Sequence, residues 1–119
     1  MSQVFVTEDD PDVRTSIAEI LREEGYDVRE FPNGEETLRA LKAGGRPSVV
    51  LVDLLMPEMS GQEFVEALRS DPSLAGIAVV MITGARATFD DVEVLRKPFE
   101  LEELVSAVER HCGGAARPS

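Results

Sequence analysis

Two stretches of this chain, Val49-Val50-Leu51-Val52 and Ile77-Ala78-Val79-Val80-Met81-Ile82, contain no polar residue. A strand with one wet face alternates apolar and polar side chains, so runs of this kind read as strands buried on both faces, as in a parallel sheet. That requirement constrains the rest. Parallel neighbours cannot be joined by tight turns, and each strand needs a crossover that returns the chain to the same edge.

The remaining sequence supplies the crossovers. Gln3-Val4-Phe5-Val6-Thr7 predicts a first strand. Val13, Ile17, Ile20 and Leu21 then line one face of a helix that Asp10 caps, Pro11 opens and Gly25 stops. Tyr26 to Phe31 alternates like a half-exposed edge strand, and Pro32-Asn33-Gly34 turns into a short helix over Glu35 to Lys42. Gly61 to Arg69 places Phe64, Val65 and Leu68 on one helical face. Val92 to Leu95 predicts a fifth strand, and Glu100 to His111 a last helix with Leu101, Leu104, Val105 and Val108 inward. Strands alternating with helices imply a doubly wound α/β fold with a five-stranded parallel sheet. Right-handed crossovers and a central switch point favour the strand order 2-1-3-4-5.

A length of 119 residues fits one domain, here residues 1–112, with residues 113–119 a Gly/Ala/Pro tail that has nothing to bury and is expected to be disordered. A single cysteine, Cys112, excludes an internal disulfide and suits a reducing, cytoplasmic setting. No signal-peptide core and no apolar run near the roughly 18 residues of a membrane span are visible, so no membrane partner is expected. The net charge of −11 disfavours nucleic acid, whose phosphates need clustered Lys and Arg, and suits a basic partner or a bound cation.

In a parallel sheet the carboxyl ends of the strands share one edge, where ligands and catalytic groups gather. The first, third, fourth and fifth strands end on Glu8-Asp9, Asp53, Thr83 and Lys97. Taken singly, Asp53 can be a residue that merely starts a loop, Thr83 a strand-end hydroxyl and Lys97 a solvated charge. Together they are hard oxygen ligands of the kind that suit Mg²⁺, beside an ammonium suited to a phosphoryl group. His111 and Cys112 read as the amphipathic end of the last helix, and Met56 and Met59 as loop packing.

The set Glu8-Asp9, Asp53-Leu54-Leu55-Met56-Pro57 with Gly61, Thr83, and Lys97-Pro98-Phe99 resembles the receiver domain of two-component response regulators, a flavodoxin-like fold. The resemblance spans about residues 3 to 112. It implies that Asp53 is the phosphoacceptor, taking a phosphoryl group from a phosphohistidine on a sensor histidine kinase or histidine phosphotransferase. It also implies that Asp9 ligates Mg²⁺ directly, Glu8 through water and Leu55 through its backbone carbonyl. Thr83 and Lys97 would bind the phosphoryl group, and the Lys97-Pro98 bond would be cis. Such a protein is not an enzyme acting on other substrates; it promotes only its own phosphorylation and dephosphorylation, and it signals by contact with a downstream protein that the sequence does not name. Phosphoryl transfer depends mainly on positioning and charge neutralisation, and an Asp carboxylate can serve as nucleophile.

The chain departs from that family in two places. Only the eight residues Gly84 to Asp91 separate Thr83 from Val92. Returning past a five-residue strand takes about 17 Å, whereas eight helical residues rise only about 12 Å. The fourth crossover helix is therefore expected to be absent or about one turn, with the last strand still parallel. Val94 stands three residues before Lys97, where the family often has an aromatic, so phosphorylation is expected to act through the segment 84–91. A subset of single-domain receivers has a similarly shortened segment, though the Phe-rich lead-in of that subset is replaced here by Val79 and Met81. Leu55 and Ala85, two residues after Asp53 and Thr83, are apolar and cannot orient an attacking water, which implies slow self-dephosphorylation.

The principal alternative is a pseudo-receiver, a docking module without phosphoryl chemistry, which has no need of all five site residues. A phosphatase of the haloacid dehalogenase type places a second Asp where Leu55 stands. A flavodoxin needs a phosphate loop that Glu8-Asp9-Asp10 would repel.

Overall fold

The computed structural model describes residues 2–84 and 92–112. In chain order the elements are β1 (Gln3–Thr7), α1 (Pro11–Glu23), β2 (Asp27–Phe31), α2 (Gly34–Lys42), β3 (Val49–Asp53), α3 (Gly61–Arg69), β4 (Ala78–Thr83), β5 (Glu93–Arg96) and α4 (Leu101–His111). The five strands form one sheet in the order β2-β1-β3-β4-β5, and every neighbouring pair is parallel. This is the doubly wound fold that the apolar runs require. The expected shortening of the crossover between β4 and β5 falls on residues 85–91, and the expected disorder on residues 113–119; both lie outside the described residues.

The two faces of the sheet bury separate clusters. Val4, Val6, Val49, Leu51, Val80, Ile82 and Leu95 meet Ile17, Ala18 and Leu21 of α1 and Leu104, Ala107 and Val108 of α4. On the other face Phe5, Val50, Val52, Val79 and Met81 meet Leu38 and Leu41 of α2 and Phe64 and Leu68 of α3. All five residues of β3 are buried, as expected of a central strand covered on both sides.

Element boundaries move by one residue where a local hydrogen bond decides. Tyr26 N–H turns back to the Leu21 carbonyl, 3.1 Å away, so the β2 ladder starts at Asp27. Asn33 caps α2 by accepting from Glu36 N–H at 2.8 Å, which admits Gly34 as the first helical residue. The Ile77 carbonyl is taken by the Arg69 guanidinium at 2.9 Å, and β4 begins one residue later and runs on to Thr83. Lys97 N–H donates to the Thr83 carbonyl at 2.9 Å, carrying β5 past Leu95 to Arg96. At α1 the expected cap is present: Asp10 Oδ1 accepts from Asp12 N–H at 2.9 Å, and Pro11 opens the helix.

One glycine is fixed by space. A Cβ on Gly61 would lie 2.5 Å from Met81 Sδ, 2.7 Å from the Asp53 carbonyl oxygen and 2.9 Å from Leu54 Cα. Two of these three atoms are backbone, which cannot give way cheaply. Gly61→Ala is therefore expected to destabilise the fold by roughly 1–3 kcal/mol, the usual range for an overpacked site. Urea unfolding reads this directly, and an unchanged midpoint would contradict the close packing of α3 on the end of β3.

Candidate functional site

The register of the sheet brings the strand ends together. Thr7 lies opposite Val52 and Asp53 opposite Ile82, so Glu8 and Asp9 emerge beside Asp53 while Thr83 closes the next strand. Glu8 N–H extends the pairing of β1 with β2 by donating to the Phe31 carbonyl at 3.1 Å. Lys97 follows β5 directly, and the Lys97-Pro98 peptide bond is cis, as the resemblance implied. Glu8, Asp53 and Thr83 are buried and Asp9 is exposed. The site thus has a dry floor and one wet carboxylate.

Glu8, Asp9 and Asp53 each present a carboxylate oxygen, and these oxygens lie within 4.8 Å of one another. Lys97 Nζ stands 3.6 Å from Glu8 Oε1 and 3.6 Å from Asp53 Oδ2, a salt-bridge distance but too long for a good hydrogen bond. Glu8 Oε1 is buried and has no hydrogen-bond donor, whereas Glu8 Oε2 accepts from Asp10 N–H at 3.2 Å. Burial pushes the Glu8 carboxyl up to about 7; the Asp10 N–H opposes this, and the neighbouring Asp53 charge adds to it. A buried oxygen without a donor, in a cluster of hard oxygen ligands, is the arrangement that a small divalent cation satisfies. Asp53 Oδ1 accepts from Leu55 N–H at 3.3 Å, so the turn after β3 folds back on the carboxylate. The Leu55 side chain itself is 70% exposed.

Two supporting contacts, made by three residues, were not singled out from the sequence. Arg14, in the second turn of α1, donates from Nη1 to the Glu8 carbonyl at 2.8 Å. Its only sequence signal is that it is the first cation after the acids Glu8, Asp9, Asp10 and Asp12. Thr7 and Thr37 share a buried hydroxyl–hydroxyl hydrogen bond of 2.7 Å that ties the end of β1 to α2. No spacing rule pairs residues thirty positions apart, so this contact carries no sequence signal.

The residues read as structural behave as such. Met56 is buried in the α2–α3 cluster, and Met59 packs against that cluster. Cys112 packs against the opposite cluster. His111 Nε2 lies 3.1 Å from Glu93 Oε1, and Arg110 also bonds Glu93. Burial works against ionising Glu93, but these two partners outweigh it and hold the carboxyl below its usual range. Val94 lies opposite Met81 and is half-buried against the α2–α3 cluster.

Comparison with known proteins gives a family and a fold. A sequence model described as the response regulator receiver domain matches residues 4–109. The chain is 35% identical to the response regulator receiver protein CpdR of Brucella abortus, over 92% of this chain and 96% of that protein. It is 33% identical to the DNA-binding response regulator MtrA of Mycolicibacterium smegmatis, over 89% of this chain and 48% of MtrA, so it spans about half the length of that relative. Among solved structures, the chemotaxis protein CheY4 of Vibrio cholerae is similar with a TM-score of 0.84 and 27% identity, covering 92% of this chain and 98% of that one.

The raised Glu8 carboxyl makes stability depend on pH. An exposed glutamate loses its proton near 4.5, whereas folded Glu8 keeps it up to about 7. The folded state therefore binds the extra proton in that window, and stability falls as pH rises through it. Without divalent cations, Glu8→Gln is expected to be more stable than the parent at pH 8, by on the order of 3 kcal/mol at most. The difference should vanish near pH 4.5. Thermal melts across this range in EDTA provide the check, and a pH-independent difference would contradict it.

Proposed function

The chain belongs to the response regulator receiver domain family of two-component signalling, and from that membership we propose that Asp53 is its phosphoacceptor. The observation that carries the reading is the convergence on Asp53 of two further carboxylates and the Lys97 ammonium. A phosphoacceptor site needs an oxygen nucleophile, a cation site and a fixed positive charge around one point. A docking surface needs none of these.

In the proposed reaction an Asp53 carboxylate oxygen attacks the phosphorus of a phosphohistidine on a sensor histidine kinase or histidine phosphotransferase. The O–P bond forms as the N–P bond breaks, and the departing imidazole nitrogen keeps the electron pair. Lys97, already 3.6 Å from Asp53 Oδ2, offers its ammonium to the phosphoryl oxygens. The Thr83 hydroxyl, at the end of the adjacent strand, donates a hydrogen bond to one of them. Glu8, Asp9, Asp53 and the Leu55 backbone carbonyl would hold Mg²⁺, with Asp9 as a direct ligand and Glu8 acting through water. Bound there, the ion supplies charge neutralisation for the acids and the phosphoryl oxygens. The donor-less Glu8 Oε1 supports this fit.

Signal output is proposed to run through contact with a downstream protein rather than nucleic acid, given the net charge of −11. DNA binding belongs to MtrA, of which this chain matches about half. Among the described residues no helix is long and apolar enough to cross a membrane, and a cytoplasmic setting forms part of the same proposal. As a receiver the chain promotes only its own phosphorylation and dephosphorylation.

Incubation with acetyl phosphate and Mg²⁺ is expected to raise the intact mass by one phosphoryl group, and EDTA or Asp53→Ala to abolish the shift. An unmodified mass in the parent would favour a pseudo-receiver. A second expectation concerns lifetime. Leu55, two residues after Asp53, has an exposed apolar side chain, and Ala85, outside the described residues, is apolar as well. Neither side chain can orient an attacking water. Leu55→Asn combined with Ala85→Glu should shorten the half-life of phospho-Asp53 several-fold. Equal decay in parent and variant would remove these residues from its control.

A further inference from the structure

Glu8 is held at every backbone polar atom. Its N–H is bonded to the Phe31 carbonyl of β2 at 3.1 Å, and its carbonyl accepts from Arg14 Nη1 at 2.8 Å. The Arg14 guanidinium is itself held: Nε lies 3.7 Å from Glu30 Oε1 on β2. Glu30 Oε2 accepts from Arg22 Nη1 at 3.0 Å, and Arg22 Nη2 donates to the Val28 carbonyl at 2.9 Å. A chain of contacts thus runs from the edge strand, through two arginines of α1 and one glutamate, to the peptide group that joins Glu8 to Asp9. The Arg14 side chain is only 19% exposed, so it is enclosed rather than waving in solvent.

We propose that Arg14 is a positioning residue for the divalent-cation site, fixing the Glu8–Asp9 peptide so that both carboxylates face Asp53. This rests on the magnesium reading of the proposed function. The geometry favours positioning over electrostatics because Arg14 donates to the Glu8 backbone carbonyl rather than to a carboxylate of the cluster, and its ion pair is with Glu30. A peptide group that flips or rocks carries its neighbouring side chains with it, and a carboxylate ligand tolerates little displacement. Outer-shell partners of this kind typically govern metal affinity by about ten- to a hundredfold.

The two roles predict opposite signs. By charge alone, removing a cation from near an acidic cluster tightens binding of a divalent cation. By positioning, removal weakens it. The experiment measures the Mg²⁺ dissociation constant from amide NMR shifts for the parent, Arg14→Gln, Arg14→Lys, Glu30→Gln and the Arg14→Gln/Glu30→Gln double variant. Metal-free thermal melts run in parallel. Arg14→Gln is expected to weaken Mg²⁺ by about tenfold. Glu30→Gln should weaken it less, and the double variant no more than Arg14→Gln alone, because Glu30 acts through Arg14.

Arg14→Lys keeps the charge but cannot bridge the carbonyl and Glu30 with a planar fork, and it is expected to weaken binding as well. It also keeps the test readable if Arg14→Gln does not fold. Unchanged or tighter Mg²⁺ binding in the folded Arg14 variants overturns the inference, as does a lowered melting temperature with unaltered affinity. Failure of the underlying reading is separate: it would appear as a parent protein that binds no Mg²⁺, or as Asp9→Asn binding as tightly as the parent.

Discussion

Carboxylates brought close together resist sharing charge, and the fold sets this constraint where oxygens of buried Glu8 and Asp53 and exposed Asp9 lie within 4.8 Å of one another. The sheet imposes the convergence. Parallel strands in the order β2-β1-β3-β4-β5 point their carboxyl ends the same way, and the registers of β1, β3 and β4 leave the acids level. Lys97 relieves part of the repulsion from β5, yet at 3.6 Å from both Glu8 and Asp53 it satisfies neither fully. The apolar strands on either side supply the rigidity that keeps the acids from drifting apart. The hydrophobic core and the polar site are thus two aspects of one constraint: the strands that bury Val50, Leu51 and Val52 also aim Asp53.

The same constraint sets the division of labour among the strand ends. Asp53 and Glu8 lie on the buried floor and Asp9 on the wet side. Solvent therefore reaches the cluster through Asp9, while the carboxylates of Glu8 and Asp53 are shielded from bulk water. Leu55, whose N–H bonds Asp53 Oδ1, leaves its own side chain exposed.

Much of this was legible in the sequence because its main signals are periodic or local. The apolar runs of β3 and β4 identified a sheet covered on both faces, and Asp10, Pro11 and Gly25 marked the ends of α1 through capping chemistry that acts over a few residues. The carboxylates were found because strand ends are readable and parallel strands share an edge. What was not legible depends on contacts that cross the chain. Tyr26 reads as part of a strand until its N–H is seen bonded to Leu21. Arg14 reads as a surface charge on an amphipathic helix until its guanidinium is found on the Glu8 carbonyl. The pairing of Thr7 with Thr37 joins side chains from different elements, and no single-strand pattern anticipates it.

The tight seat of Gly61 makes the site mechanically lopsided. With Met81 Sδ, the Asp53 carbonyl and Leu54 Cα all too close to admit a methyl group, and with Gly61 N–H bonded to the Leu54 carbonyl at 2.9 Å, α3 is clamped to the ends of β3 and β4. This wall of the cleft is stiff, because any displacement of Asp53 toward it must drag an entire capped helix and its buried Phe64 and Leu68 along. The opposite wall is of another kind: Lys97 reaches across by a long side chain, and a side chain of that length adjusts by turning about single bonds. A push at Asp53 is therefore resisted where α3 seats on β3 and β4 and yields most easily toward Lys97, with α3 as the anvil.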